Sequence, residues 1–516
     1  MILTSATYSP YPDLRFVNFD LTFDVVAVDA AMLAAPSSSE QYEASQIQQS
    51  HDQTEEITDK YATLEHNLFR LDGTTPLYPK KISEIQTGWI SKGVSDDTGE
   101  YSDTPTLSFS FSEPQTSYGI TVAFDDRQSY AYPSKMNVAF YDAAGIVLQE
   151  QTVFPIDNNM IWVAAQVENY SKITIKFEKT TLPRRRIRVS EVFFGAVVKY
   201  DRKNFVNLTD KQEIDPLAES LPSAELAVTI DNSTKMYNML NPTGLYKYLQ
   251  DGQYVRYRAQ IGTEKINRGR RYFYNAESDD DGLTATIVFN DPLIFLDDIT
   301  YNGGMSGTWT LSDAVESIMK TAEFEVETVF DSDVDATIIR KCIPQETTCR
   351  EALRYCAQAA MCVCYFDHNN RLHFSPLTFA KDAEEQLTRD ILRSEPTIQI
   401  GDRYNTVQLV RQNEYSTLDT SRQYYTKTVA KNDEMILTKE IINPLVNDTD
   451  AFLDWALTWA QRRTKFKIDS RGNPALETGD IVQVFDQFNV NGNALITSIT
   501  LQYDGGLSAE MEAMRP

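Results

Sequence analysis

Histidine is scarce in this chain, with four among 516 residues (His51, His66, His368 and His373), and that limits the chemistry on offer. Nucleophilic catalysis needs a base within hydrogen-bond reach of a serine or cysteine, so few such pairings can form. No Gly-x-Ser-x-Gly elbow occurs, no His-Glu-x-x-His pair shares a helical face, and no glycine-rich loop opens a helix as a phosphate cradle would. The chain is expected not to be an enzyme and to need no cofactor and no metal. Asp331, Asp333 and Asp335 begin like a calcium loop, yet Ala336 stands at the turn glycine and Cys342 at the bidentate glutamate, which points to an acidic surface loop.

Basic residues are also few. Lys and Arg total 48 against 74 Asp and Glu, a formal net charge of -26, so electrostatic capture of a nucleic-acid backbone is disfavoured. The five cysteines (Cys342, Cys349, Cys356, Cys362 and Cys364) are odd in number, which excludes a full set of intrachain disulfides. Cys362 and Cys364 share one strand face, but no second pair has zinc-finger spacing, so buried reduced thiols are expected. No run of 18 apolar residues and no basic, apolar leader is present, and the expectation is a chain soluble when made.

Aromatic residues are plentiful, with 27 Tyr and 25 Phe, and a chain of this length allows three or four domains. Val17, Phe19, Leu21, Phe23 and Val25 alternate with polar neighbours as an amphipathic strand. Residues 36–57 lose that alternation and turn into Ser, Gln and Glu, as in a linker or exposed extension. From Tyr61 to Gly195 several short alternating runs (Leu107/Phe109/Phe111, Ile120/Val122/Phe124, Met136/Val138/Phe140, Ile173/Ile175/Phe177) predict an antiparallel sandwich. Further on, Leu226, Val228 and Ile230 mark a strand ended at Asp231-Asn232, Asn241-Pro242-Thr243-Gly244 reads as a turn, and Tyr254–Ala259 alternates again.

Two helices follow, each behind a capping pattern: Thr310-Leu-Ser-Asp313 before Val315, Ile318 and Met319, and Thr348-Cys-Arg-Glu351 before Leu353 and Cys356. Strands are predicted at 324–330 and across 363–374, the latter turning at Asn369-Asn370. The last section carries strands at 406–411 and 423–429, then a helix striped by Phe452, Ala456 and Trp459, then GNPALETGDIVQVF and NALITSITLQYDGGLSAEM.

The segment from LPSAELAVTIDN through NPTGLYKYLQDGQYVRYR to Gly262 resembles the hub proteins of bacteriophage tail tips and baseplates. The LEHNLFRLDG, GWISKGVSD, SYGITVAF and PRRRIRVSEVFFG segments resemble the galactose-binding-like jelly roll inserted in some of those hubs. The resemblance implies a mainly β (α+β) chain. Its parts are an N-terminal strand and linker (1–60), the jelly-roll sandwich (61–196), a first tail-tube-type β-barrel (197–300), an α/β insert (301–380) and a second β-barrel (381–516). It further implies a homotrimeric adaptor in the virion tail, assembled in the host cytoplasm, that joins a six-fold tail tube or distal tail protein to a three-fold spike or fibre. Other baseplate proteins and host cell-wall glycans are the further partners expected, with DNA passing through the lumen without specific binding.

Sugar recognition places an aromatic face beneath the ring and hydrogen-bonding groups around it, so Trp89, Tyr101, Arg127, Tyr130, Tyr132 and Trp162 are the candidate glycan contacts. The same aromatics equally suit the core of a sandwich. Alternation would send Arg184, Arg186 and Arg188 to one strand face, as a contact for an acidic partner or anionic polymer. Two alternatives stand beside the hub: a carbohydrate-binding adhesin, and a cell-wall hydrolase built on an acidic pair, which asks only for two suitably spaced carboxylates.

Overall fold

The computed structural model describes the chain apart from residues 13–14, 16, 26–33, 52–60, 64, 70–71, 74, 77–86, 126–130, 156–158, 201–204, 234, 236, 239, 242–248, 250–251, 279–281, 305, 332, 413–421, 430–435 and 485–491. It forms two compact units, Phe23–Val198 and the combination of Met1–Thr22 with Lys199–Pro516. Strands dominate both, with three α-helices among the described residues, so the architecture is mainly β as the alternation requires.

In the smaller unit the strands pair in the order Trp89–Ile90, Arg188–Phe193, Thr106–Phe124, Met160–Thr180, Pro133–Tyr141 and Val147–Val153. Thr106–Phe124 and Met160–Thr180 run for 19 and 21 residues, far beyond the usual strand of about five or six. They curl because the ladder slips repeatedly between Ser110 and Gly119, and each bulge bends the strand and sharpens its twist. Leu107 and Phe109 before the slips, and Ile120 and Val122 after them, consequently meet in one apolar core. Gly119 permits the bend: its φ is +143°, and a Cβ there would lie 2.2 Å from the Val163 carbonyl oxygen.

The linker expected over residues 36–57 is corrected in its described part. Ala34–Ser38 is a strand paired with Leu107–Phe111, and Ile47–His51 forms a 3-10 helix. Ser37, Ser39, Gln41, Glu43 and Gln48 are exposed, but other polar side chains bond to the Trp89 segment. Ser38 Oγ accepts a 3.0 Å hydrogen bond from Trp89 Nε1, and Gln49 Oε1 accepts from the Thr87 and Gly88 N–H groups at 3.0 Å each.

A thirteen-stranded sheet runs through the larger unit. Phe205–Glu213 lies within it, paired with Glu225–Asp231 on one side and Gly492–Tyr503 on the other. The segments assigned above to the first and second barrels are thus joined along one continuous sheet. Alternation explains the local structure: Leu226, Val228 and Ile230 are buried, and Glu225 and Asp231 are exposed at the strand ends. The Pro242-Thr243-Gly244 part of the predicted turn lies outside the described residues.

The helices begin where their caps predict. α1 (Leu311–Thr321) opens on a reciprocal capping box between Thr310 and Asp313. In α2 (Cys349–Ala359) Thr348 accepts from the Glu351 N–H, and in α3 (Thr449–Ala460) Asp448 accepts from the Ala451 N–H. Val315, Ile318, Leu353 and Cys356 share one core with Val407, Leu409, Ile441, Phe452 and Ala456. The α/β packing therefore continues past residue 380, because apolar residues of strand Thr406–Gln412 belong to the same core as those helices. All five cysteines are buried and unbridged.

Candidate functional site

The candidate glycan residues do not gather as one surface. Trp89 belongs to the core: it is 0% exposed, stacks on Phe177 at 5.6 Å between ring centroids, and offers no face to a sugar. It is withdrawn as a contact, since strand pairing with Val189 turns its indole inward. Trp162 lies within Met160–Thr180, opposite Thr121, and is half-buried beside Gly119. Both tryptophans take part in a ladder.

Tyr101 and Tyr132 do lie outside the strands and are half-buried. The Tyr101 hydroxyl donates to the Arg185 carbonyl at 2.9 Å, and burial pushes its pKa above the ordinary phenol value. Tyr132 packs edge-on against Phe124 at 6.4 Å. Arg127 and Tyr130 fall outside the described residues.

The basic cluster is also corrected. Only Arg188 lies in a strand, so the three guanidinium groups do not share a face. Arg184 has a φ of +54°, is exposed, and binds Asp97 Oδ2 at 2.9 Å. Arg186 donates to the Ser91 carbonyl at 3.1 Å and lies 4.8 Å over the Tyr42 ring. Arg188 is 3% exposed, forms a buried ion pair with Glu65, and donates to Thr63 Oγ1 at 3.0 Å.

Glu65 and Thr63 escaped the sequence reading because they lie far from Arg188 along the chain, in a segment without alternation. Burial acts to raise the Glu65 pKa, but Arg188, Thr63 and the Arg186 N–H outweigh it and hold the carboxyl below its usual range. The result is a knitted sandwich end, in which Thr63 and Glu65, Ser91 and Ser95, and residues 184–188 are fastened by guanidinium, carboxylate and hydroxyl groups.

A second buried polar group ties the larger unit together. Arg268 and Asp210 side chains are both 0% exposed and meet at 2.6 Å. The Tyr257 hydroxyl donates to the same Asp210 oxygen at 3.0 Å. Arg268 Nη1 donates to the Pro474 and Leu476 carbonyls at 2.9 Å each, and Gln212, its amide oxygen turned toward the guanidinium, accepts from Arg268 at 2.8 Å. Burial lowers the Arg268 pKa, but the neighbouring Asp210 charge more than offsets that and the net shift is upward.

The histidines of the larger unit meet carboxylates. His368 Nδ1 lies 3.1 Å from Glu477 and His373 Nε2 lies 3.0 Å from Asp367, which also accepts from Arg371 at 2.8 Å. Burial alone would raise Asp367, but His373 and Arg371 hold it well below the ordinary carboxylate range. Among the described residues no group of three His, Cys, Asp or Glu is arranged to hold a metal ion. Burial raises the Cys356 and Cys362 thiols above their usual pKa, which suits packed side chains and not nucleophiles.

Comparison with protein-family models gives no match, and neither does comparison with curated proteins. Among solved structures, the 43 kDa tail protein of prophage MuSo2 from Shewanella oneidensis is similar over 62% of this chain and 96% of its own, at 17% identity and a TM-score of 0.44. The tail protein from Neisseria meningitidis MC58 is similar over 62% of this chain and 94% of its own, at 12% identity and a TM-score of 0.46. The family 32 carbohydrate-binding module of C. perfringens NanJ is similar over 35% of this chain and 99% of its own, at 12% identity and a TM-score of 0.21. A prophage tail protein and a second tail protein are thus among the solved structures to which this chain is similar.

Proposed function

We propose that this chain is a structural hub of a phage tail tip or baseplate, a homotrimeric adaptor between a six-fold tail tube and a three-fold spike or fibre. The observation that carries the reading is the shared sheet. Phe205–Glu213 joins the segment resembling a hub's opening barrel to the one resembling its closing barrel, and Arg268 reaches from the first to the carbonyls of Pro474 and Leu476 in the second. Two barrel-like halves held rigidly in each of three chains supply six near-equivalent contacts, the number a six-fold tube requires. No bond is made or broken in that role, and the acidic balance of the chain would keep DNA from adhering to a lumen wall. The sandwich unit serves as a contact for other baseplate proteins or for host glycans.

The reading is tested by the mass of the purified chain in solution and by electron microscopy of the chain mixed with its tail-tube protein. A trimer that caps tube ends is expected. A chain that stays monomeric at high concentration and never joins tubes would sink the proposal.

A further inference from the structure

Thr397–Ile400 ends the thirteen-stranded sheet, and all four of its residues are exposed. Among the described residues it pairs on one side only, antiparallel to Thr464–Lys467. The Gly401 N–H donates to the Arg463 carbonyl at 2.8 Å. Alternation along an antiparallel ladder then makes Gln399/Lys465 and Thr397/Lys467 the hydrogen-bonded pairs, and turns the N–H and C=O of Ile398 and Ile400 toward the open side. Those two side chains are 51% and 66% exposed. Edge strands are often blunted by a lysine, a proline or a bulge; Pro396 directly precedes this strand, and Thr-Ile-Gln-Ile itself carries none of these.

A cleft of 680 Å³, lined in part by Ile400, Tyr404, Arg462, Arg463 and Lys465, opens beside this strand. Two of its lining cations, Arg462 and Arg463, carry the unbalanced charge. Arg462 lies 4.2 Å over the Trp459 ring and forms no ion pair among the described residues; nor does Arg463, which is exposed. Lys465 and Lys467 share the Glu512 carboxylate, each at 3.7 Å. The cleft wall sets Lys439, Arg462, Arg463 and Lys465 against the two acids Asp215 and Asp402, with Lys439 also paired to Glu219 at 2.7 Å. A local excess of positive charge in a chain of net charge -26 marks this patch off from its surroundings.

We propose that this edge docks an extended acidic segment of another protein, which adds as a further strand beside Thr397–Ile400 with its carboxylates against Arg462, Arg463 and Lys465. Backbone groups of Ile398 and Ile400 supply the ladder, their side chains cover the apolar positions of the incoming strand, and the cations select its charge. The inference stands on the edge and its rim, whatever assembly the chain belongs to.

The test is fluorescence anisotropy with the full chain at low ionic strength, using two labelled heptapeptides, one alternating Glu and Val and the other alternating Lys and Val. The acidic peptide is expected to bind and the basic one not, with affinity falling as salt is added. Arg463→Glu with Lys465→Glu is expected to weaken binding by about tenfold or more, the scale of charge reversal at such a contact. Ile398→Pro removes an N–H that faces the open side, so the native pairing and the thermal transition are expected to persist while binding is lost. Equal binding of the two peptides, or indifference to both variants, overturns the proposal. Failure of both peptides to bind also overturns it, and a drop in the chain's solution mass with Ile398→Pro would then assign the edge to a second copy.

Discussion

Arg268 Nη2 lies 2.6 Å from Asp210 Oδ2, and neither side chain has any exposed surface. The pair joins strands Phe205–Glu213 and Glu264–Ser278, which have two other strands between them in the long sheet, and the same guanidinium binds two carbonyls of the 474–476 segment. Removing one partner strands a charge in the interior. Arg268→Met is expected to destabilise the larger unit by about 3–5 kcal/mol, and Arg268→Lys by a smaller but clear amount, because an ammonium cannot reach Asp210 and both carbonyls in one plane. Arg268→Met combined with Asp210→Leu is expected to recover much of the loss. Urea denaturation of the four proteins checks the order.

The Glu65–Arg188 pair gives the sandwich a defined acid response. Since Glu65 is held below its unfolded pKa, the unfolded chain takes up the proton first as pH falls. The stabilisation is fully present above about pH 4.3, the unfolded glutamate value, and is lost as pH drops from there through the folded value. Thermal scans between about pH 6 and pH 3 should show the sandwich transition falling on the acid side. In Glu65→Gln that acid limb should flatten, with lower stability at neutral pH.

Gly119 and Gly145 both have positive φ but differ in surroundings. A Cβ at Gly119 meets the Val163 carbonyl, whereas one at Gly145 meets nothing within 4 Å. Gly145→Ala is expected to cost about 1 kcal/mol from backbone strain alone. Gly119→Ala should cost distinctly more, since a ladder strand must shift. Comparison of the two melting temperatures checks this.

Among the sandwich aromatics, Trp89 and Trp162 should separate by mechanism. Trp89→Ala is expected to lower stability by about 3–5 kcal/mol, the cost of emptying a core position of that size. Trp162→Ala and Tyr132→Ala, at half-buried positions, should lower the melting temperature less than Trp89→Ala does and reduce retention of the full chain on an array of bacterial surface glycans. Unaltered retention in both would remove sugar recognition from this face.

The five thiols should stay silent in the folded chain. All are buried, and burial raises Cys356 and Cys362 away from the thiolate form. Reaction with a thiol-specific chromophore is expected to be slow at neutral pH and to become rapid on unfolding in urea. Fast labelling without denaturant would contradict the packing.

What could be read along the chain was whatever depends on near neighbours. The alternation at Val17, Phe19 and Leu21, the Thr310–Asp313 box, the Thr348 cap and the stripe of Phe452, Ala456 and Trp459 all arise from fixed backbone periods of about 2 and 3.6 residues, and all recur in the fold. Composition likewise pointed to a mainly β chain with buried thiols. Partners distant in sequence were not legible. Arg188 looks like a surface cation until Glu65 meets it, Trp89 like a binding residue until Phe177 covers it, and the described part of residues 36–57 like a linker until Ser38 and Gln49 bond to the Trp89 segment. Burial and charge pairing belong to the whole fold, because a side chain's environment is set by whichever strand arrives beside it. Arg268 and the open edge at Thr397–Ile400 are of this kind, the first enclosed and the second exposed by pairings that no local pattern encodes.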